Sequence, residues 1–205
     1  MTNVPRLNKK TTAIVVIDKQ NAYFSRDAVN RRNRNLPENS DEILHSIDLF
    51  IDKCRSMGLK TYWTQMVEDV HESPENIAEI MMLDDEKVES RTDSADFLIA
   101  GRTKPMPGDL IFTKRYYDAF AQTNLDEQLK NDGIKTIVLV GGYASRCVLG
   151  TAYGANGHDY RSVVIRDLVI NQISNIDEIP AFYRVIEAIL GYTASEDEFF
   201  AQLYA

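Results

Sequence analysis

A chain of 205 residues, 44% hydrophobic and 26% charged, is long enough for one domain with a substantial core and has the composition of an ordinary globular protein. Its formal net charge of -8 argues against a nucleic-acid partner, which needs a broad basic face, and no apolar run is long enough for a membrane span or a signal peptide. Its two cysteines, Cys54 and Cys147, form neither a disulfide framework nor a metal-ligand spacing, so the expectation is a single domain over 1–205 in a reducing cytoplasm, without metal or cofactor.

Thr12 to Asp18 (TAIVVID) is apolar on successive residues, as a strand buried on both faces of a parallel sheet is. It ends on Asp18, a carboxylate whose burial demands a partner. Lys19 to Asn39 reads as a polar loop over the strand ends. It carries Tyr23 and Phe24 and a basic cluster, Arg31, Arg32 and Arg34, best explained as a solvated face. Ser40 to Met57 is an amphipathic helix with Ile43, Leu44, Ile47, Phe50 and Ile51 on its apolar side, Asp41 and Glu42 in its first turn, and Gly58 as its stop. Cys54 belongs to that apolar side as core packing. Leu59 to Met66 (LKTYWTQM) is the second strand.

Val67 to Lys104 is long for a connection without a role, and a lid or an oligomer contact would account for its length. It is helix-like from Pro74 to Met82 and acidic at Asp84 to Glu86. His71 stands within it but lacks the two further ligands a metal site needs. Leu110 to Thr113 is the third strand, running into Lys114, and Arg115 to Phe120 is a loop containing Tyr116 and Tyr117. Leu125 to Asn131 is a helix closed by Gly133. Ile134 to Leu168 then reads as strand, glycine turn, small-residue helix opening at Cys147, and strand, which is one βαβ unit. Ile176 to Leu190 is a helix with Pro180 in its first turn. Ser195 to Leu203 is the last helix, opened by the capping-box pair Ser195 and Glu198. Strand alternating with helix makes a doubly wound α/β sheet.

Three reactive residues occupy equivalent places. Asp18, Lys114 and Cys147 each end or closely follow a parallel strand, where open α/β sheets bind their ligands. A cysteine at a helix N-terminus is placed for a lowered thiol pKa. Lys114 would favour the thiolate, and Asp18 would take the thiol proton and return it to a leaving amine. The alternative for Asp18 and Lys114 is a structural ion pair. His45, on the first helix, and His158, in the turn after the cysteine helix, stay outside this set. No glycine-rich phosphate loop follows the first strand.

VVIDKQNAYF (15–24), FTKRYYDAF (112–120) and GGYASRCVLGTAYGANGHDYRSVVIRDL (141–168) resemble, in order, the three motifs of the isochorismatase-like cysteine hydrolase superfamily. The resemblance implies a three-layer sandwich around a mostly parallel six-stranded sheet of order 3-2-1-4-5-6, with Asp18, Lys114 and Cys147 catalytic. It also implies an oxyanion hole of Ala144 and Cys147 N–H groups, a cis peptide at Tyr143–Ala144, and a homodimer or homotetramer. Gln20, Tyr23, Phe24, Tyr117, Phe120 and Tyr143 are the expected substrate contacts, an aromatic pocket suited to a small planar molecule. The chain departs from the family pattern at Ala22, where Asp is usual, and at Ser145, where Thr is common. It also lacks the Asp-x-His metal motif of the nicotinamidases. Cys147 sets it apart from the ether-cleaving isochorismatases, which usually lack that residue. The implied activity is metal-independent hydrolysis of a small amide or carbamoyl compound. An isochorismatase-type ether hydrolase and a non-catalytic binding protein of the same fold are the alternatives.

Overall fold

The computed structural model describes residues 4–31, 35–83 and 90–204; Arg32, Arg34 and the acidic run Asp84 to Glu86 lie outside the described residues. The strands of the main sheet are β1 (Thr12–Ile17), β2 (Lys60–Met66), β3 (Leu110–Lys114), β4 (Thr136–Gly142), β5 (Arg161–Ile170) and β6 (Gly191–Ala194). The helices are α1 (Asn21–Phe24), α2 (Arg26–Arg31), α3 (Ser40–Ser56), α4 (Glu75–Met81), α5 (Leu125–Asn131), α6 (Leu149–Gly157), α7 (Ile179–Val185) and α8 (Glu196–Gln202). The six strands are all parallel and lie in the order β3-β2-β1-β4-β5-β6. This is the 3-2-1-4-5-6 order the motifs implied.

Side chains alternate across a strand, so β1 and β4 supply two separate cores. Ile14, Val16, Val138 and Val140 pack with Ile47, Phe50 and Ile51 of α3 and Phe199 of α8. Ala13, Val15, Ile17, Ile137 and Leu139 pack on the other face with Leu125 and Leu129 of α5, Ala152 and Ala155 of α6, and Phe182 of α7. Full burial of a side chain such as Phe50 stabilises by roughly 1.5–3 kcal/mol, and the two layers account for the uninterrupted apolar runs of β1 and β4. The strand order reverses between β1 and β4, which opens a crevice at their C-terminal ends.

Four elements differ from the sequence expectation. The segment after Asp18 contains α1 and α2, because Ala22, Tyr23, Phe24, Ala28 and Val29 turn inward and are buried. β5 is ten residues long, with a register shift that pairs Gly141 and Gly142 with Val169 and Ile170. The expected helix 176–190 divides into a 3-10 turn (Ile173–Glu178), α7 with its early proline, and a π-turn (Ile186–Leu190). β6 has only four residues, too few for a period to show. A two-residue parallel pair, Leu7–Asn8 with Leu203–Tyr204, ties the two ends of the described chain together.

The excursion after β2 returns across the C-terminal end of β1. Gln20 forms an antiparallel bridge with Ile99, and the N–H groups of Asn21 and Ala22 donate to Leu98 O and Asp96 O, each at 2.8 Å. Residues 95–103 thereby strap the crevice from one side.

Candidate active site

Three successive residues at the exit of β1 are each locked in a different direction. Asp18 is in the left-handed region, with φ 45°, which aspartate tolerates better than most residues. Its carboxylate accepts a hydrogen bond from Thr64 Oγ1 at 2.6 Å through Oδ1, and its own N–H donates to the same hydroxyl at 3.1 Å. Its Oδ2 meets Lys114 Nζ at 2.7 Å, with both side chains fully buried. Lys19 turns the other way, to Asp48 Oδ1 at 2.7 Å, and donates to Ala100 O at 2.5 Å and Thr103 O at 3.1 Å. Gln20 donates from Nε2 to Met66 O and Ser90 Oγ and accepts from Met66 N. The Gln20 amide is thus spent on tying β1 to the end of β2. It braces the end of β1 at the position where the motif led us to expect a substrate contact.

Lys114, the last residue of β3, is the hub. Its Nζ meets Asp18 Oδ2, and it donates to Tyr116 O at 3.0 Å, Cys147 Sγ at 3.1 Å and the Met66 sulfur at 3.4 Å. Burial alone would lower its pKa, yet the Asp18 carboxylate, with the Cys147 sulfur beside it, outweighs that and holds it above the ordinary lysine value. Cys147 behaves differently from the expectation for a helix N-terminus. Burial pushes the thiol well above its usual range; Lys114 pulls it down, and Asp18 adds to the rise. The sulfur and the Asp18 carboxylate are thus held on the same Lys114 ammonium, at 3.1 and 2.7 Å.

Gly141 makes this convergence possible. Its φ is 115°, and a Cβ there would sit 2.1 Å from Ile17 O, so only glycine lets β4 run this close to the exit of β1. The cis peptide is Gly142–Tyr143, one bond before the expected Tyr143–Ala144. Tyr143 is still extended, with φ -89° and ψ 148°, and the turn proper begins after it as the π-turn Ala144–Val148. The change of direction therefore belongs to the end of the strand. Ala144 and Cys147 are buried in that turn, and Ser145 bonds through its hydroxyl with Asn171.

The aromatic residues separate into two groups. Tyr23 packs edge-on against Tyr143, centroids 5.5 Å apart, and burial raises its phenol pKa, reinforced by Glu68, Asp18 and Cys147. Phe24 is buried in the same cluster. Tyr117 is half-buried and feels Arg146, Cys147, Glu68 and Lys114. Phe120 is elsewhere: its ring stacks on His158 at 4.9 Å and Tyr160 at 5.6 Å. Those residues follow α6, whose nine residues span roughly 13 Å. Phe120 is a core residue at the far end of the helix from Cys147, not a pocket wall.

Two residues near the site had no sequence signal. Glu68 lies two residues beyond Met66, whose sulfur is 3.4 Å from Lys114 Nζ, and is buried beside Tyr23. Arg146 directly precedes the cysteine, 5.9 Å from the Tyr143 ring. Among the described residues, no group of three or more His, Cys, Asp or Glu side chains could hold a metal ion, and His71 has no such company.

Comparison with known proteins gives the same picture. Residues 12–172 match the family model described as the isochorismatase domain. A maleamate amidohydrolase of Pseudomonas putida is 33% identical over 78 residues, 38% of this chain and 37% of that protein. A ureidoacrylate amidohydrolase of Caulobacter segnis is 25% identical over 206 residues, covering 94% of this chain and 86% of that protein. A cysteine hydrolase from Pseudomonas syringae pv. phaseolicola superposes with a TM-score of 0.81 over 98% of this chain and 96% of that chain, at 16% identity. An N-carbamoylsarcosine amidase from Thermoplasma acidophilum does so with a TM-score of 0.71 at 23% identity, over 92% and 98%. These last two establish likeness of fold. The amidohydrolase relatives and the buried Cys147–Lys114–Asp18 network together support cysteine-based cleavage of a C–N bond.

Proposed function

The chain belongs to the isochorismatase-domain family, and from that premise we propose that it is a metal-independent cysteine amidohydrolase, a single catalytic domain acting on a small amide or carbamoyl compound. The observation that carries this reading is Lys114 Nζ, bonded at once to Asp18 and Cys147 in a buried site. Asp18 accepts the proton of the Cys147 thiol as Sγ attacks the carbonyl carbon. The N–H groups of Ala144 and Cys147, in the first turn after Tyr143, would receive the developing oxyanion. Collapse expels ammonia or an amine, which takes the proton from Asp18 and leaves a thioester on Cys147. Water, deprotonated by Asp18, then attacks the thioester; the C–S bond breaks, the acid leaves, and the proton passes from Asp18 back to Cys147 Sγ. Lys114 stays charged throughout and offsets the negative charge that passes between sulfur, oxygen and carboxylate. Tyr23 and Tyr143, with Tyr117, line the approach.

The amidohydrolase relatives are named for maleamate and ureidoacrylate, and the fold neighbour for N-carbamoylsarcosine, each an amide or carbamoyl compound. This supports the same chemical class here. The test is ammonia release from a panel of small amides, with intact-protein mass spectrometry to trap the acyl adduct. Cys147→Ala should abolish both signals while unfolding at the same temperature. Turnover that survives this substitution would instead indicate an ether hydrolase or another chemistry without a thioester.

The working assembly in this reading is a homodimer or homotetramer in the cytoplasm. Exposed Leu110 and Ile111 on the edge strand β3 support the first part, and two cysteines that are both free support the second. Among the described residues, no helix is long and apolar enough to cross a membrane.

A further inference from the structure

The chemistry above gives no role to Met66, although its sulfur touches the lysine at the centre of the site. Around Lys114 Nζ stand Asp18 Oδ2 at 2.7 Å, Tyr116 O at 3.0 Å, Cys147 Sγ at 3.1 Å and Met66 Sδ at 3.4 Å. An ammonium has three N–H groups, so four such neighbours always leave one without a proton aimed at it. Lys114 and Met66 are each 1% exposed. An N–H that loses its acceptor here must find another within the protein.

Met66 is held in place from two sides. It is the register partner of Lys114 across β2 and β3, and paired residues of adjacent strands send their side chains to one face. Its N–H donates to Gln20 Oε1 at 2.7 Å, and its carbonyl accepts from Gln20 Nε2 at 3.1 Å. The thioether so placed is a neutral and weak acceptor. It cannot compete with a thiolate for an N–H, but it can compete with a thioester. As Cys147 attacks, the S–C bond forms and the thiol proton passes to Asp18. That proton leaves with the amine as the C–N bond breaks. The sulfur is then uncharged and shares its lone pairs with the carbonyl, so its hold on the Lys114 N–H weakens.

We propose that Met66 is a positioning residue for Lys114: its sulfur takes over the N–H that Cys147 gives up on acylation and returns it when the thioester breaks. This rests on Cys147 being the nucleophile, and the experiment separates the two claims. p-Nitrophenyl acetate transfers its acetyl group to sulfur with loss of p-nitrophenolate, and water then frees the thiol as acetate leaves. Iodoacetamide alkylates the same sulfur with loss of iodide. The rates of acetylation, deacetylation and alkylation at Cys147 are followed by absorbance and peptide mass spectrometry. In Met66→Leu, with Met66→Ile in its place where leucine does not fold, the ratio of acetylation to deacetylation rate should fall about 3–10-fold, the range of one ordinary hydrogen bond. Alkylation should be no slower, because three N–H groups then serve three acceptors and Cys147 keeps its own. Met66→Gln supplies an oxygen acceptor and should hold the ratio within about twofold of the unmodified protein. An unchanged ratio in the apolar variants would overturn the role of Met66 and leave the nucleophile intact. So would a glutamine variant as impaired as the leucine one, or alkylation that slows along with acetylation, which marks a site merely loosened. Absence of both adducts at Cys147 would overturn both claims.

Discussion

The ion pair of Lys19 and Asp48, at 2.7 Å, has a stability effect that can be worked out from its contacts. Their side chains are 0% and 3% exposed. Lys19 also donates to two carbonyls of the strap, while the Asp48 carboxylate accepts from Arg102 N at 2.7 Å and Thr103 N at 3.2 Å. Lys19→Met removes the cation and leaves a buried carboxylate with only backbone donors. Breaking one side of a buried pair costs about 3–5 kcal/mol. For a chain of this length each kcal/mol is worth about 2–4 °C, which gives a fall in Tm of about 6–20 °C. Asp48→Leu should cost a similar amount. The double variant removes both charges and should be less destabilised than the sum of the singles, with a coupling of at least about 2 kcal/mol in a double-mutant cycle. Urea titration of the four proteins measures this directly. Singles that cost under about 1 kcal/mol, or that simply add, would refute the claim that this pair clamps the strap.

Other outcomes follow from the catalytic residues. Thr64→Val removes the donor to Asp18 Oδ1 and the acceptor for Asp18 N; steady-state ammonia release should fall about 10–100-fold, with Thr64→Ser retaining most of the rate. Gly141→Ala sets a methyl against Ile17 O in a backbone conformation that alanine rarely adopts, and thermal unfolding should show a loss of at least about 3 kcal/mol. Because the Cys147 thiol titrates above its ordinary range, only its small thiolate fraction reacts near neutrality. Its alkylation rate should climb about tenfold per pH unit through pH 9 without a plateau; a plateau near pH 7 would mean that Lys114 wins over burial.

The central strands were legible because β1 and β4 are buried on both faces and so carry unbroken apolar runs. The convergence of Asp18, Lys114 and Cys147 was legible because each follows a strand of a parallel sheet, which brings the three ends to one edge. What escaped depends on contacts distant in sequence. Lys19 reads as an ordinary surface lysine until α3 brings Asp48 to it. Gln20 reads as a ligand contact until Met66 and Ser90 claim its amide. Phe120 lies only six residues past Lys114, but the loop runs the length of α6 before placing it. A helix terminus that lowers a thiol pKa can be seen in sequence, whereas the depth of burial that raises it at Cys147 cannot.

A nucleophile that keeps its proton at rest is also a protected one. Peroxide and stray electrophiles attack thiolates far faster than thiols. With Cys147 only 6% exposed and burial raising its thiol pKa, little thiolate is offered to an oxidant. Asp18, bonded to the same Lys114 ammonium as the sulfur, is the group proposed to take the proton when a carbonyl arrives. In that reading reactivity is generated within the turnover cycle and not stored between cycles, and the desolvation that raises the thiol pKa is also what shields the sulfur.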